Sequence, residues 1–137
     1  MANYKSVGRT NYFRVTDEKR WEELFKYICT NDGKWDYSKK ADDGTILHCF
    51  ACEGGLDYIE PDSYDSELDY FIEELQKILP DDEAMIYTEG GHEKHRYVTG
   101  LSLVVTSTTI DWLLLPDLAL GVARNHLGKD FNTEMTY

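Results

Sequence analysis

Two short stretches carry the residue types that do chemistry. His92-Glu93-Lys94-His95 follows closely on Glu89, so two imidazoles and two carboxylates are neighbours along the chain. Such a set could hold a divalent metal, or let His92 act as a general base beside Glu89. The helical metalloprotease pattern needs histidines four apart, with Glu directly after the first. Here the spacing is three, and Gly90-Gly91 introduces the stretch as a hairpin loop. A third ligand would have to come from Glu89 or from an acid of the middle segment, residues 41–93. The plain reading is a polar loop; a small metal-dependent hydrolase built on Glu89, His92 and His95 is the alternative. His48-Cys49-Phe50-Ala51-Cys52 holds the other candidate, a Cys-x-x-Cys pair. Zinc and redox sites bring such sulfurs together at a turn or a helix start. This apolar stretch reads instead as a strand, which sends positions three apart to opposite faces. Cys49 and Cys52 are therefore expected to be packing residues, and Cys29 alone cannot complete a second pair. The sequence has no Walker, Rossmann, nucleophile-elbow or calcium-loop pattern. No catalytic residue, resident metal or cofactor is expected.

Acidity is the feature that stands above background. Twenty-six acids against fourteen bases give a net charge of −12 and a pI near 4.6. Residues 1–40 carry a net +3 and residues 94–137 are neutral, whereas the segment 41–93 has sixteen acids and one base, Lys77. Direct binding to nucleic acid or to an anionic membrane is disfavoured by that field. The candidate contact residues are Asp57, Glu60, Asp62, Asp65, Glu67, Asp69, Glu73 and Glu74, with Tyr58, Tyr64 and Tyr70 between them as anchors. Tyr is enriched in protein interfaces and does nothing for bulk solubility. If the stretch after Asp65 is helical, Asp69 and Glu73 stand about 6 Å apart along the axis. Phosphates along a DNA strand recur at roughly 6–7 Å. The bland alternative is a solvated face that only keeps the protein soluble. Neutralising Asp69, Glu73 and Glu74 should discriminate, sparing the fold but abolishing binding, while Asp17, Glu18 and Glu22 lie outside the segment as a control.

Elements must position these groups. Asn11 to Val15 reads as a first strand, and Thr16 as the cap of a helix whose stripe is Trp21, Leu24, Phe25 and Ile28. Thr45 to Glu53 reads as a central strand, turned by Gly54-Gly55 into a second at 56–60. Ser66 or Asp65 can cap a second helix with the stripe Leu68, Phe71, Ile72, Leu75, Ile78 and Leu79, stopped by Pro80. Strands at 83–88 and 95–106 flank the polar loop, and a last helix runs from Pro116 to Gly128. The expected fold is α+β: a single domain over residues 1–137, with an antiparallel sheet of about four to five strands and about three helices packed mainly on one face.

The remaining composition agrees. At 137 residues and 42 % hydrophobic, the chain has material for one core. Its apolar runs, such as Trp112 to Leu115, fall far short of the ~20 residues that span a bilayer. Three cysteines make no disulfide framework and the first residues no signal core, so a cytoplasmic location is expected.

The stretches 11–17 and 74–80, with Ile86-Tyr87-Thr88-Glu89, Gly91-His92-Glu93-Lys94 and Arg96-Tyr97-Val98-Thr99-Gly100, resemble a family of small acidic proteins carried by bacterial phages and conjugative elements. The resemblance implies a setting in which such proteins inhibit host defence, as anti-restriction and anti-CRISPR proteins do, many by imitating the phosphate surface of DNA. The expected function is that of a non-enzymatic inhibitor blocking the groove of a basic nucleic-acid-binding partner, a host nuclease or CRISPR effector. A homodimer is compatible with the same reading, as is a mobile-element accessory domain with no direct activity.

Overall fold

The computed structural model describes residues 4–28, 33–63 and 65–134. Alternation sets the centre of the sheet. Along β1 (Lys5–Thr10), Ser6, Gly8 and Thr10 turn inward while Lys5, Val7 and Arg9 turn out. The same alternation in β5 (Phe50–Glu53) buries Phe50 and Cys52, and in β6 (Ala84–Glu93) it buries Met85, Tyr87 and Glu89. With β2 (Lys34–Asp36), β7 (Tyr97–Thr106) and β8 (Ile110–Leu114) they form a six-stranded antiparallel sheet in the order β2-β5-β1-β6-β7-β8. A separate two-stranded ribbon pairs β3 (Lys39–Lys40) with β4 (Ile46–Leu47). The class is α+β, as expected, but the main sheet has six strands rather than four to five.

The differences have local causes. The first strand is Lys5–Thr10, not 11–15, because Asn11 ends it with its side chain: Oδ1 accepts from the Ile86 amide at 2.7 Å and Nδ2 donates to the Ala84 carbonyl at 2.9 Å. Beyond it only Phe13 pairs, in a bridge with His48. Gly54 and Gly55 do take positive φ, but 56–60 forms no strand. Both edges of β5 are already taken, by β1 and β2. Gly90 to Glu93 are strand rather than loop, and the turn sits at Lys94, whose φ is +50°.

Helices α1 (Glu18–Phe25) and α2 (Leu68–Ile78) cover the inner face. Asp17, not Thr16, caps α1, accepting from the Arg20 amide at 3.0 Å. Thr16 is occupied elsewhere, donating through its amide and hydroxyl to the Ile78 carbonyl at the end of α2. Glu67 takes the cap position of α2 without a side-chain bond, in place of Ser66 or Asp65. The apolar stripes behave as their spacing requires. Trp21, Leu24, Ile28, Phe71, Ile72, Leu75, Ile78 and Leu79 are buried with Phe50, Leu103 and Val105, and Phe25 and Leu68 pack against them half-buried. Helix α3 (Leu115–Leu127) departs from the expected layering. It starts with Pro116 in its first turn and ends at Gly128, yet none of its residues is buried. Leu115 rests against Gly100 on the outer face.

Candidate acidic binding face

The carboxylates of the middle segment divide into those the fold uses and those it leaves in solvent. Long-range pairing with bases of the first forty residues takes up several. Arg14 holds Asp82 and Glu83, both at 2.9 Å. Arg20, on α1, bonds Glu74 on α2 at 2.9 Å, the Tyr70 hydroxyl at 3.0 Å and Glu23 at 2.9 Å. Burial alone would lower the Arg20 pKa; the bonds to Glu74, Tyr70 and Glu23 outweigh it and raise it. Lys77 and Arg20 together hold the Glu74 carboxyl below its ordinary 4.5. Others are structural acceptors. Asp57 takes the Tyr58 amide at 2.8 Å and the Ser66 hydroxyl, Glu60 takes the Tyr58 hydroxyl at 2.9 Å, and Glu67 takes the Ser63 hydroxyl at 3.1 Å.

Of the candidate contact acids, Asp62, Asp65, Asp69 and Glu73 remain. All four are exposed, and among the described residues their carboxylates make no ion pair or hydrogen bond. Asp62 and Asp65 belong to the loop before α2, and Asp69 and Glu73 to successive turns of the helix, about 6 Å apart along its axis. The anchors separate as well. Tyr70 is exposed at the edge of this face. Tyr58 is 1 % exposed and stacks on Phe71 at 5.8 Å, so it is a core residue and not a surface anchor. Its desolvation, with Glu60 beside it, raises its pKa, and the phenol stays neutral as an internal donor. Tyr64 lies outside the described residues. Glu74 likewise leaves the set of available charges, because it is the carboxylate that joins α1 to α2. The first-helix acids are no remote control: α1 lies beside α2, and Glu18 bonds His48 at 2.7 Å.

The alternative metal cluster does not assemble. Glu89 faces the inner side, 7 % exposed, where its oxygens accept from the Tyr87 hydroxyl at 2.7 Å and the Tyr4 hydroxyl at 3.3 Å. Burial and the bond to Glu89 raise the Tyr87 pKa and keep that phenol protonated. His92, three positions along the same strand, faces the other side and lines a groove of about 650 Å³ with Tyr4, Val7 and Glu53. His95 is exposed in the turn. Among the described residues no three His, Cys, Asp or Glu side chains converge as metal ligands. Cys49 is a free thiol against Arg9 and the Thr10 carbonyl, while Cys52 lies on the inner face 3.8 Å from the Tyr87 hydroxyl. The Cys-x-x-Cys spacing therefore produces no Cys49–Cys52 bond. Cys29 falls outside the described residues. No described helix is long and apolar enough to cross a membrane. The chain matches no family model, no curated protein and no solved structure.

Proposed function

We propose that this chain is a non-enzymatic acidic binding protein. Asp62, Asp65 and the solvent side of α2 dock against the basic nucleic-acid groove of another protein and block it, as the phosphates of DNA would occupy it. One observation carries the reading. Once the internally bonded acids among the candidate contact residues are set aside, Asp62, Asp65, Asp69 and Glu73 remain exposed, before α2 and along its solvent side. Their carboxylates make no hydrogen bond or ion pair among the described residues. The nearby bases Arg20 and Lys77 are committed to Glu74. A purely solubilising surface intersperses both signs. A nuclease or CRISPR effector of a bacterial host is the partner class that the sequence resemblance supplies. Opposite charge would make association fast and strongly dependent on salt.

Immobilised protein, exposed to a bacterial lysate at low salt and eluted with rising salt, provides the test. Retained proteins that bind DNA, and that labelled duplex DNA displaces from the column, support the reading. Retention that DNA does not displace counts against it.

A further inference from the structure

We infer that β8 and α3 form a self-association surface, through which a second copy of this chain extends the sheet across a twofold axis. The two edges of the sheet differ in kind. β2 is three residues long with Lys34 and Asp36 on it, a short and charged edge of the sort that resists pairing. β8, Ile-Asp-Trp-Leu-Leu, has one charge and all five residues exposed. Its hydrogen-bond phase follows from the hairpin. The Thr106 amide donates to the Thr109 carbonyl at 2.9 Å, and counting by twos along the β7–β8 register puts the next bonded pairs at Val104 with Asp111 and Ser102 with Leu113. The N–H and C=O groups of Ile110 and Trp112 and the N–H of Leu114 therefore point away from the sheet, the Leu114 carbonyl standing at the N-cap of α3. That row is self-complementary: antiparallel pairing about Trp112 sets Ile110 of one copy opposite Leu114 of the other.

Area and charge both favour a copy of the same chain as the occupant. Between Ile110 and Leu127, eight large apolar residues stand 41–67 % exposed. They are divided between the two faces of the sheet edge, Ile110, Trp112 and Leu114 on the side of Leu103 and Val105, and Leu113 and α3 on the other. A partner must therefore cover both sides of the edge to reach the ~800 Å² share usual in a stable interface. The twofold axis keeps both α3 helices on the outer face of the joined sheet, beside the groove of about 200 Å³ that Leu113, Leu115 and Leu118 line with Gly100 and Ser102. The described residues after α3 do not cover this patch. They fold onto its polar side, where Arg124 donates to the Phe131 carbonyl at 2.9 Å. Residues 110–128 hold only Asp111, Asp117 and Arg124 as charges in a chain of net −12, so two copies repel least when they meet here.

Sedimentation or light scattering of the whole chain, at concentrations on the order of 100 µM where interfaces of this size are populated, tests the inference. The expected mass is twice 15.9 kDa, and association should tighten as salt screens the −12 charges. That salt dependence is opposite to the one expected for the acidic face, so the two proposals fail separately. Leu118→Glu with Val122→Glu, both already exposed in the protomer, should raise the dissociation constant at least about 100-fold. In the unmodified protein, amide exchange at Ile110, Trp112 and Leu114 should slow as concentration rises. A monomer at all concentrations, a dimer indifferent to the double substitution, concentration-independent exchange in β8, or association that weakens with salt would each overturn it.

Discussion

Gly8 is the point at which a single residue constrains the sheet. A Cβ there would stand 2.1 Å from the Tyr87 hydroxyl, on the inner face where Tyr87 reaches Glu89. Gly8→Ala is expected to cost at least about 1–3 kcal/mol, read by urea unfolding; an unchanged midpoint would mean that Tyr87 does not occupy this position. Glu74 makes a second residue-scale prediction. Lys77 first, then Arg20, depresses its folded pKa below the ordinary 4.5. Its contribution is therefore complete above that value and is lost as pH falls through the lower folded pKa. Glu74→Gln should cost about 1 kcal/mol at neutral pH, and the difference from the parent should shrink below pH ~4.5 as Glu74 itself becomes protonated. A difference that shows no decrease on acidification below pH ~4.5 would show that charge plays no part. The sequence reading of Glu74 as one of the array's charges missed this, because its partner Arg20 is fifty-four positions away. Tyr58 and Tyr70 each follow an Asp, and nothing local separates the buried ring from the exposed one.

Among the elements, the apolar side of α2 was legible. The stripe from Leu68 to Leu79 is a helical period, and the structure buries it against the sheet. Leu75→Ala should therefore cost on the order of 2–5 kcal/mol; less than ~1 kcal/mol by denaturant unfolding would mean that the stripe faces no packed core. The hairpin was harder, because Gly90-Gly91 has the composition of a turn. In the structure Gly91 is needed for another reason: a Cβ there would meet the Tyr4 hydroxyl at 2.1 Å. β8 is masked in the sequence by the unbroken apolar run from Trp112 to Leu115, which runs on into α3 and blurs a strand's period of two. The alternation of Ile110, Trp112 and Leu114 was the available signal.

For the whole molecule, composition located the acidic segment but not the division of labour within it. That division depends on the first forty residues folding back, Arg14 onto Asp82 and Glu83 and Arg20 onto Glu74, and such contacts leave no local trace in a sequence. The consequence is a revised set of test residues: Asp65, Asp69 and Glu73 carry the proposed face, and Glu74 belongs to the scaffold. A matched control comes from Asp117, Asp130 and Glu134, exposed acids of α3 and the residues beyond it, away from the helices of the inner face. Competition with DNA decides whether this face imitates phosphate. Labelled duplex DNA bound to a basic protein captured from the lysate is titrated with the parent chain, with Asp65→Asn/Asp69→Asn/Glu73→Gln, and with Asp117→Asn/Asp130→Asn/Glu134→Gln. The parent and the control should displace DNA equally, with potency falling steeply between ~50 and ~200 mM salt, and the first variant should fail while its circular dichroism stays unchanged. Equal displacement by all three chains would contradict the account and leave the acidic segment a solvated surface.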